Sequence, residues 1–132
     1  MNRIDFKKYN RILGISTGIL SFVVFALTVE PTASYWDCAE YISTSAKLQI
    51  GHPPGAPLFQ MLGAIFSIFA LELNQIAYAV NMMSVLSSSL TIVFLFWSIS
   101  LIGKEILDLT NSLKIDEAIK VFGSSFLGSI SF

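Results

Sequence analysis

Uncharged apolar runs alternate with short polar segments along this chain, and the lengths of the runs set the expected architecture. Ile12 to Val29, ILGISTGILSFVVFALTV, carries no charge. Its length of about 18 residues, at 1.5 Å per residue, is close to the roughly 30 Å of a bilayer's hydrocarbon, so a crossing helix is predicted. A secretory leader would have a shorter apolar region, about 7–15 residues, and a clearer small-residue cleavage pattern than the one after Val29. Gly14, Gly18 and Ser21 recur at a spacing that gives one face small side chains, where another helix can approach closely. The second run, Pro57 to Leu71, has only about 15 residues, a length at which an interfacial or re-entrant helix competes with a full span. Gln60, Gly63, Ser67 and Asn74 form a narrow polar stripe along it. The third run, Ile76 to Ile102, is uncharged over about 27 residues, ample for a tilted crossing. Its Asn81, Ser84, Ser88 and Thr91 share a face suited to helix packing.

The expected fold is an all-α membrane protein, the N-terminal part of one membrane domain. Crossing helices are expected at 12–29 and 76–102, an outer-loop helix at 34–50 and a short interfacial helix at 57–71. A cytoplasmic segment fills 103–120, and 121–132, with about half a bilayer's worth of apolar helix, reads as the start of a third span in a longer chain.

Composition agrees, with 54% hydrophobic and 13% charged residues against the balance of a soluble domain. A net charge of −1 and the lack of any basic patch interleaved with aromatics give no basis for nucleic-acid binding. The single cysteine, Cys38, has no internal disulfide partner and is expected to be a small buried apolar residue. Charge placement sets the predicted topology. Arg3, Lys7, Lys8 and Arg11 precede the first run and Lys104, Lys114 and Lys120 follow the third, whereas Lys47 is the only basic residue from Glu30 to Gln75. Lysine and arginine accumulate in cytoplasmic segments, so both tails are expected inside and loop 30–75 outside the cytoplasm. That requires an even number of crossings, with 57–71 lying along the outer surface.

The polar chemistry gathers in SYWDCAEYISTSAKLQIGHPPGAPLF, Ser34 to Phe59. Ser34 can cap a helix whose third residue is Asp37. On such a helix Asp37, Glu40, Thr44 and Lys47 share one face and Ala39, Ile42 and Ala46 the opposite one, giving a short amphipathic helix resting on the membrane. Helix capping would account for Asp37, and Glu40 has a plain reading as a solvated acid. Two close carboxylates also tend to acquire separated pKa values, which suits a base and its supporting group. GHPPGAP ends the helix, because Pro53 and Pro54 lack N–H groups and Gly51 and Gly55 permit tight turns. It returns His52, the chain's only histidine, to the membrane surface. A lone turn histidine is more often structural than a ligand, and no zinc-type spacing is present.

WDCAEYI followed by KLQIGHPPGAPLF resembles the start of a family of bacterial multi-pass membrane proteins abundant in Bacteroidota, whose eukaryotic relatives are plexin-type protein O-mannosyltransferases. The order of outward helix, acidic loop, HPP turn, surface helix and inward helix also resembles the opening module of GT-C glycosyltransferases. The resemblance implies a bacterial inner-membrane location and inverting transfer of a sugar, mannose above all, from a polyprenyl-phosphate donor to Ser or Thr of an exported protein. It implies Asp37 as the catalytic base, with Glu40 supporting or sharing that role. In several GT-C families the two acids are adjacent, whereas Cys38 and Ala39 separate them here. His52, Trp36, Tyr41 and Lys47 become candidate substrate-binding residues. The outer region offers few cations for a phosphate leaving group, so further helices or a divalent metal would complete the site, and the chain alone is expected to be inactive. The competing reading is a non-catalytic scaffold or transporter subunit whose acidic loop binds a partner or cation.

Cysteines introduced at Ser43 and Ser112 in a Cys38→Ala background test the topology. The outer position should react with an impermeant thiol reagent in intact cells while the inner one is protected; reaction of both from one side contradicts it.

Overall fold

The computed structural model describes residues 3–131. The order is β1 (Arg3–Asp5), α1 (Phe6–Thr28), α2 (Cys38–Lys47), α3 (Pro57–Ser67), a 3-10 turn (Leu73–Gln75), α4 (Ile76–Ile106), β2 (Ser112–Lys114) and α5 (Ile115–Ile130). Helices dominate, as expected. Two of them, α1 and the stretch Leu73–Ile106, are long and apolar enough to cross a membrane. At 11 residues α3 reaches about 16 Å, half of a hydrocarbon core.

The chain divides into two compact units. The first comprises 1–24 and 88–132. Its core is Phe6, Phe96, Leu113, Ala118, Val121 and Phe122, with the Phe6 and Phe122 rings stacked 5.6 Å apart. The small face of α1 does what its spacing predicted: Gly14, Thr17, Gly18 and Ser21 are buried. A methyl group added at Gly14 would meet the Trp97 indole, and one at Gly18 the Val93 side chain. Trp97 Nε1–H donates to the Asn10 carbonyl at 3.1 Å, and the Ser100 hydroxyl to Asn10 Oδ1 at 2.6 Å. The strands β1 and β2 pair antiparallel, Ile4 opposite Leu113. Segment 103–120 is therefore not plain connection, since it holds β2 and the first turn of α5. There Glu117 accepts from the Lys114 N–H at 2.8 Å, and Asp116 and Glu117 complement the positive helix end.

The second unit, 25–87, holds α2 and α3 packed side by side. Their close approach depends on Gly63, where an added Cβ would lie 2.7 Å from Ser45 Oγ. Ser45 is fully buried, and its hydroxyl has no hydrogen-bond partner among the described residues.

Several expectations need correction. The helix after Pro31 begins at Cys38, not near Ser34, because Trp36 has φ 64° and a left-handed residue cannot sit in a helical first turn. Asp37 occupies the N-cap position and makes no side-chain cap bond. The buried residues of α2 are Ile42, Thr44 and Ser45, so Thr44, expected on the acid-bearing face, packs against protein. Along α4, Ser84, Ser88 and Thr91 are exposed, and the chain packs instead on Val80, Met83, Val85, Ser89, Phe96 and Ser100. Of the predicted stripe, Asn81 turns to protein, donating to the carbonyls of Glu30 and Thr32 at 2.8 and 3.1 Å.

Gly63→Val should drive α2 and α3 apart, at a cost of about 1–3 kcal/mol from overpacking. The expected readout is a thermal midpoint several degrees lower in detergent; an unchanged midpoint would show that α2 is not held by this contact.

Candidate active site

The site lies where the start of α2 meets the turn before α3. Leu48, in the left-handed region at φ 49°, closes α2, and the Leu48 and Gln49 N–H groups satisfy the last carbonyls of the helix. The chain thus turns back sharply and returns His52 to Glu40, twelve positions earlier. One oxygen of Glu40 accepts from the His52 backbone N–H at 2.7 Å, and the other lies 2.7 Å from His52 Nδ1. Glycine at 51 permits this, since a Cβ there would sit 3.1 Å from Glu40 Oε1 and 3.0 Å from Gln60 Nε2. Gln60, from α3, donates to the Thr44 hydroxyl at 3.2 Å and ties the turn to α2.

With Nδ1 engaged, His52 Nε2 faces Asp37, whose Oδ2 is 3.9 Å away. The Asp37 carboxylate has no hydrogen bond to any of the described residues, and its side chain is 60% exposed. The acids are therefore unequal: Glu40 is engaged twice by His52, while Asp37 is free to meet a ligand. The electrostatics follow. Glu40 is held below the usual carboxylate range, first by the His52 N–H, then by the ring hydrogen bond and the ring's charge. His52 is raised above its ordinary value by the bond to Glu40, then by the charges of Glu40 and Asp37.

Trp36 is 95% exposed on a left-handed backbone, directly before Asp37. Tyr41 points elsewhere, its ring packed edge-on against Phe59 with centroids 5.4 Å apart. Both rings line a cavity of about 340 Å³ together with half-buried Cys38, Ile42, Asn81 and Ser84. Lys47 ends α2, about 15 Å along the helix from Asp37, and does not join the cluster. Asp37, Glu40 and His52 each offer one ligand atom within 4.8 Å of the others, a donor set of two oxygens and a nitrogen that can accept a divalent ion. The Glu40–His52 pairing escaped sequence reasoning, whose plain reading left Glu40 a solvated acid. The usable signal was Gly51 before the histidine, a position where a side chain would crowd the acid.

Two bilayer-length apolar helices joined through an acid–histidine turn define a helical membrane-type module with a polar site in its connecting loop. Residues 37–132 match the family described as Protein O-mannosyl-transferase TMEM260 N-terminal domain, and the chain belongs to that family. It is 31% identical over 80 residues to Protein O-mannosyl-transferase tmem260 of Dictyostelium discoideum, covering 60% of this chain and 10% of that protein. It is 32% identical over 76 residues to Protein O-mannosyl-transferase TMEM260 of Mus musculus, covering 58% of this chain and 11% of that protein. The chain thus corresponds to about a tenth of the length of these curated relatives. No solved structure matches it.

The sign of the pH dependence is set by these two shifts. His52 has a raised pKa, so its contribution is complete below its ordinary value of about 6.5 and is lost as pH rises through the higher folded value. Glu40 has a lowered pKa, so its contribution is lost as pH falls through the folded value. In an NMR titration the single histidine should have a midpoint above about 6.5 that falls in Glu40→Gln; a midpoint at or below that value in the unaltered chain counts against the pairing.

Proposed function

We propose that this chain is the N-terminal portion of a membrane glycosyltransferase that moves a sugar, most readily mannose, from a polyprenyl-phosphate donor to a Ser or Thr hydroxyl of an exported protein. Asp37 is the base. It takes the hydroxyl proton as the oxygen attacks the anomeric carbon, the bond to the donor phosphate breaks on the opposite face, and configuration inverts. The lipid phosphate leaves with the bonding electron pair. The names of the similar proteins favour mannose transfer. The observation that carries the residue assignment is the inequality of the two acids: Glu40 is held by His52, and Asp37 stands free beside the same ring.

In this reading Glu40 fixes His52, and the ring of His52, with Nε2 3.9 Å from Asp37 Oδ2, positions the Asp37 carboxylate. Trp36 offers its exposed indole to the sugar or acceptor. Tyr41, walled into the neighbouring cavity, contributes an apolar surface for the lipid chain or acceptor. Lys47 and His52 supply little positive charge for the leaving phosphate. The remaining donors are assigned to the part of such proteins beyond the region this chain matches.

Topology is consistent with an outer-surface reaction. Pairing of β1 with β2 brings the start of α1 and the segment after α4 to one side, so if both helices cross, the loop between them emerges on the other. The basic residues at the paired ends favour the cytoplasm for that side.

In the full-length protein Asp37→Asn should lower transfer by about 100-fold or more, the scale of a lost general base, with membrane insertion unchanged. Glu40→Gln should lower it less. Undiminished transfer by Asp37→Asn would remove the catalytic assignment and return the loop to a partner- or cation-binding role.

A further inference from the structure

A second polar feature lies in the other unit, far along the sequence from the acid–histidine turn. The N-terminal end of α1 and the C-terminal end of α4 enclose an open cavity of about 470 Å³. Its cations are Lys7, Arg11 and Lys104, and no carboxylate is among its lining residues. The floor is apolar and aromatic, with Phe6, Ile15, Trp97 and Leu101. Asn10 and Asn111 add amides at the rim.

The cations are differently held. Lys104 Nζ donates to Asn111 Oδ1 at 2.9 Å and lies 5.1 Å from the centroid of the Phe6 ring, so its charge is fixed at the cavity wall. Lys7 and Arg11, one helical turn apart on α1, are exposed and free to close over a ligand. Of the acids in this unit, Asp5 accepts from the Lys8 N–H at 3.0 Å and Glu117 from the Lys114 N–H, while Glu105, Asp108 and Asp116 are not among the lining residues. Trp97 is pinned by its bond to the Asn10 carbonyl, so the indole is a fixed wall of the site.

Depth along the helices identifies the occupant. Arg11 immediately precedes the apolar run that begins at Ile12, and Lys104 follows the run that ends at Ile102. If α1 and α4 cross the bilayer, these cations therefore lie at headgroup level, while Ile15 and Leu101 lie about one turn deeper and the Trp97 backbone about two, at acyl-chain level. A soluble anion would use the cations and leave the greasy floor bare. We propose that this cavity binds an anionic phospholipid, its phosphate held by Lys7, Arg11 and Lys104 and the upper part of its acyl chains against Trp97, Ile15 and Leu101. This site is independent of the sugar-transfer reading, and it rests on α1 and α4 being membrane crossings.

Trp97 is the reporter. In a Trp36→Phe background it is the only tryptophan, and the full chain is reconstituted in phosphatidylcholine vesicles holding a minor fraction of brominated phosphatidylglycerol or, in parallel, brominated phosphatidylcholine. Quenching should reach half-maximum at a several-fold lower mole fraction of the anionic lipid. Each of Lys7→Gln, Arg11→Gln and Lys104→Gln should reduce that preference about fivefold or less, and the triple variant should abolish it, whereas Lys114→Gln, outside the cavity, should not. Arg11→Lys, which keeps the charge, should retain most of the preference and guards against a folding defect in the neutral variants. Equal quenching by the two lipids, or a preference that survives in the triple variant, overturns the proposal. Relief of anionic-lipid quenching by millimolar inorganic phosphate also overturns it, assigning the cavity to a soluble phosphate compound.

Discussion

The double hold of Glu40 on His52 is the constraint on which the loop's chemistry depends. Backbone and ring of one residue are bound by two oxygens of one carboxylate, so the turn is fixed in position and the imidazole in orientation at once. Without it, residues 48–56 would have to be placed by glycine- and proline-directed turns alone, and His52 Nε2 would have no reason to face Asp37. The pair also sets the electrostatics: each partner favours the charged form of the other, and the ring stands beside an Asp37 carboxylate that has no other side-chain partner among the described residues. Gly63 completes the support, letting α3 come close enough for Gln60 to reach Thr44 one turn from Glu40.

The other unit is built on a different principle. Small residues on α1 make room for large ones on α4, Gly14 for Trp97 and Gly18 for Val93, and the polar groups of Asn10, Trp97 and Ser100 are satisfied across the same contact. Where lipid replaces water, such packing and hydrogen bonding take over from the hydrophobic effect as the source of helix association. The same contact shapes the basic cavity, since the indole that fills the notch at Gly14 is also its inner wall.

Much of this was legible in the sequence because long uncharged runs have few alternatives. Both crossing-length helices, the short helix after Pro57 and the small face of α1 were expected and are present. The missed features are those decided by distant residues or by single torsion angles. Strands of three residues each, separated by the whole helical hairpin, leave no periodic signal. The start of α2 shifted because Trp36 adopts a left-handed backbone that no spacing rule anticipates. The serine and threonine stripe on α4 satisfied a helical period yet faces outward, since periodicity finds a face without saying what covers it. In the loop, the composition drew notice to Asp37, Glu40 and His52, but only the αL closure at Leu48 shows why the last two touch.

The small antiparallel pair carries an implication for how the chain is made. Residue 4 finds its partner at 113, so at ordinary translation rates of about 5–20 residues per second the first strand waits roughly 5–20 s for the second to leave the ribosome. Both long helices are complete by then. The pairing is therefore a latch that closes after both long helices have emerged, a contact of high contact order, and a bulky group fused at the first strand would obstruct that closure without disturbing the helices that precede it.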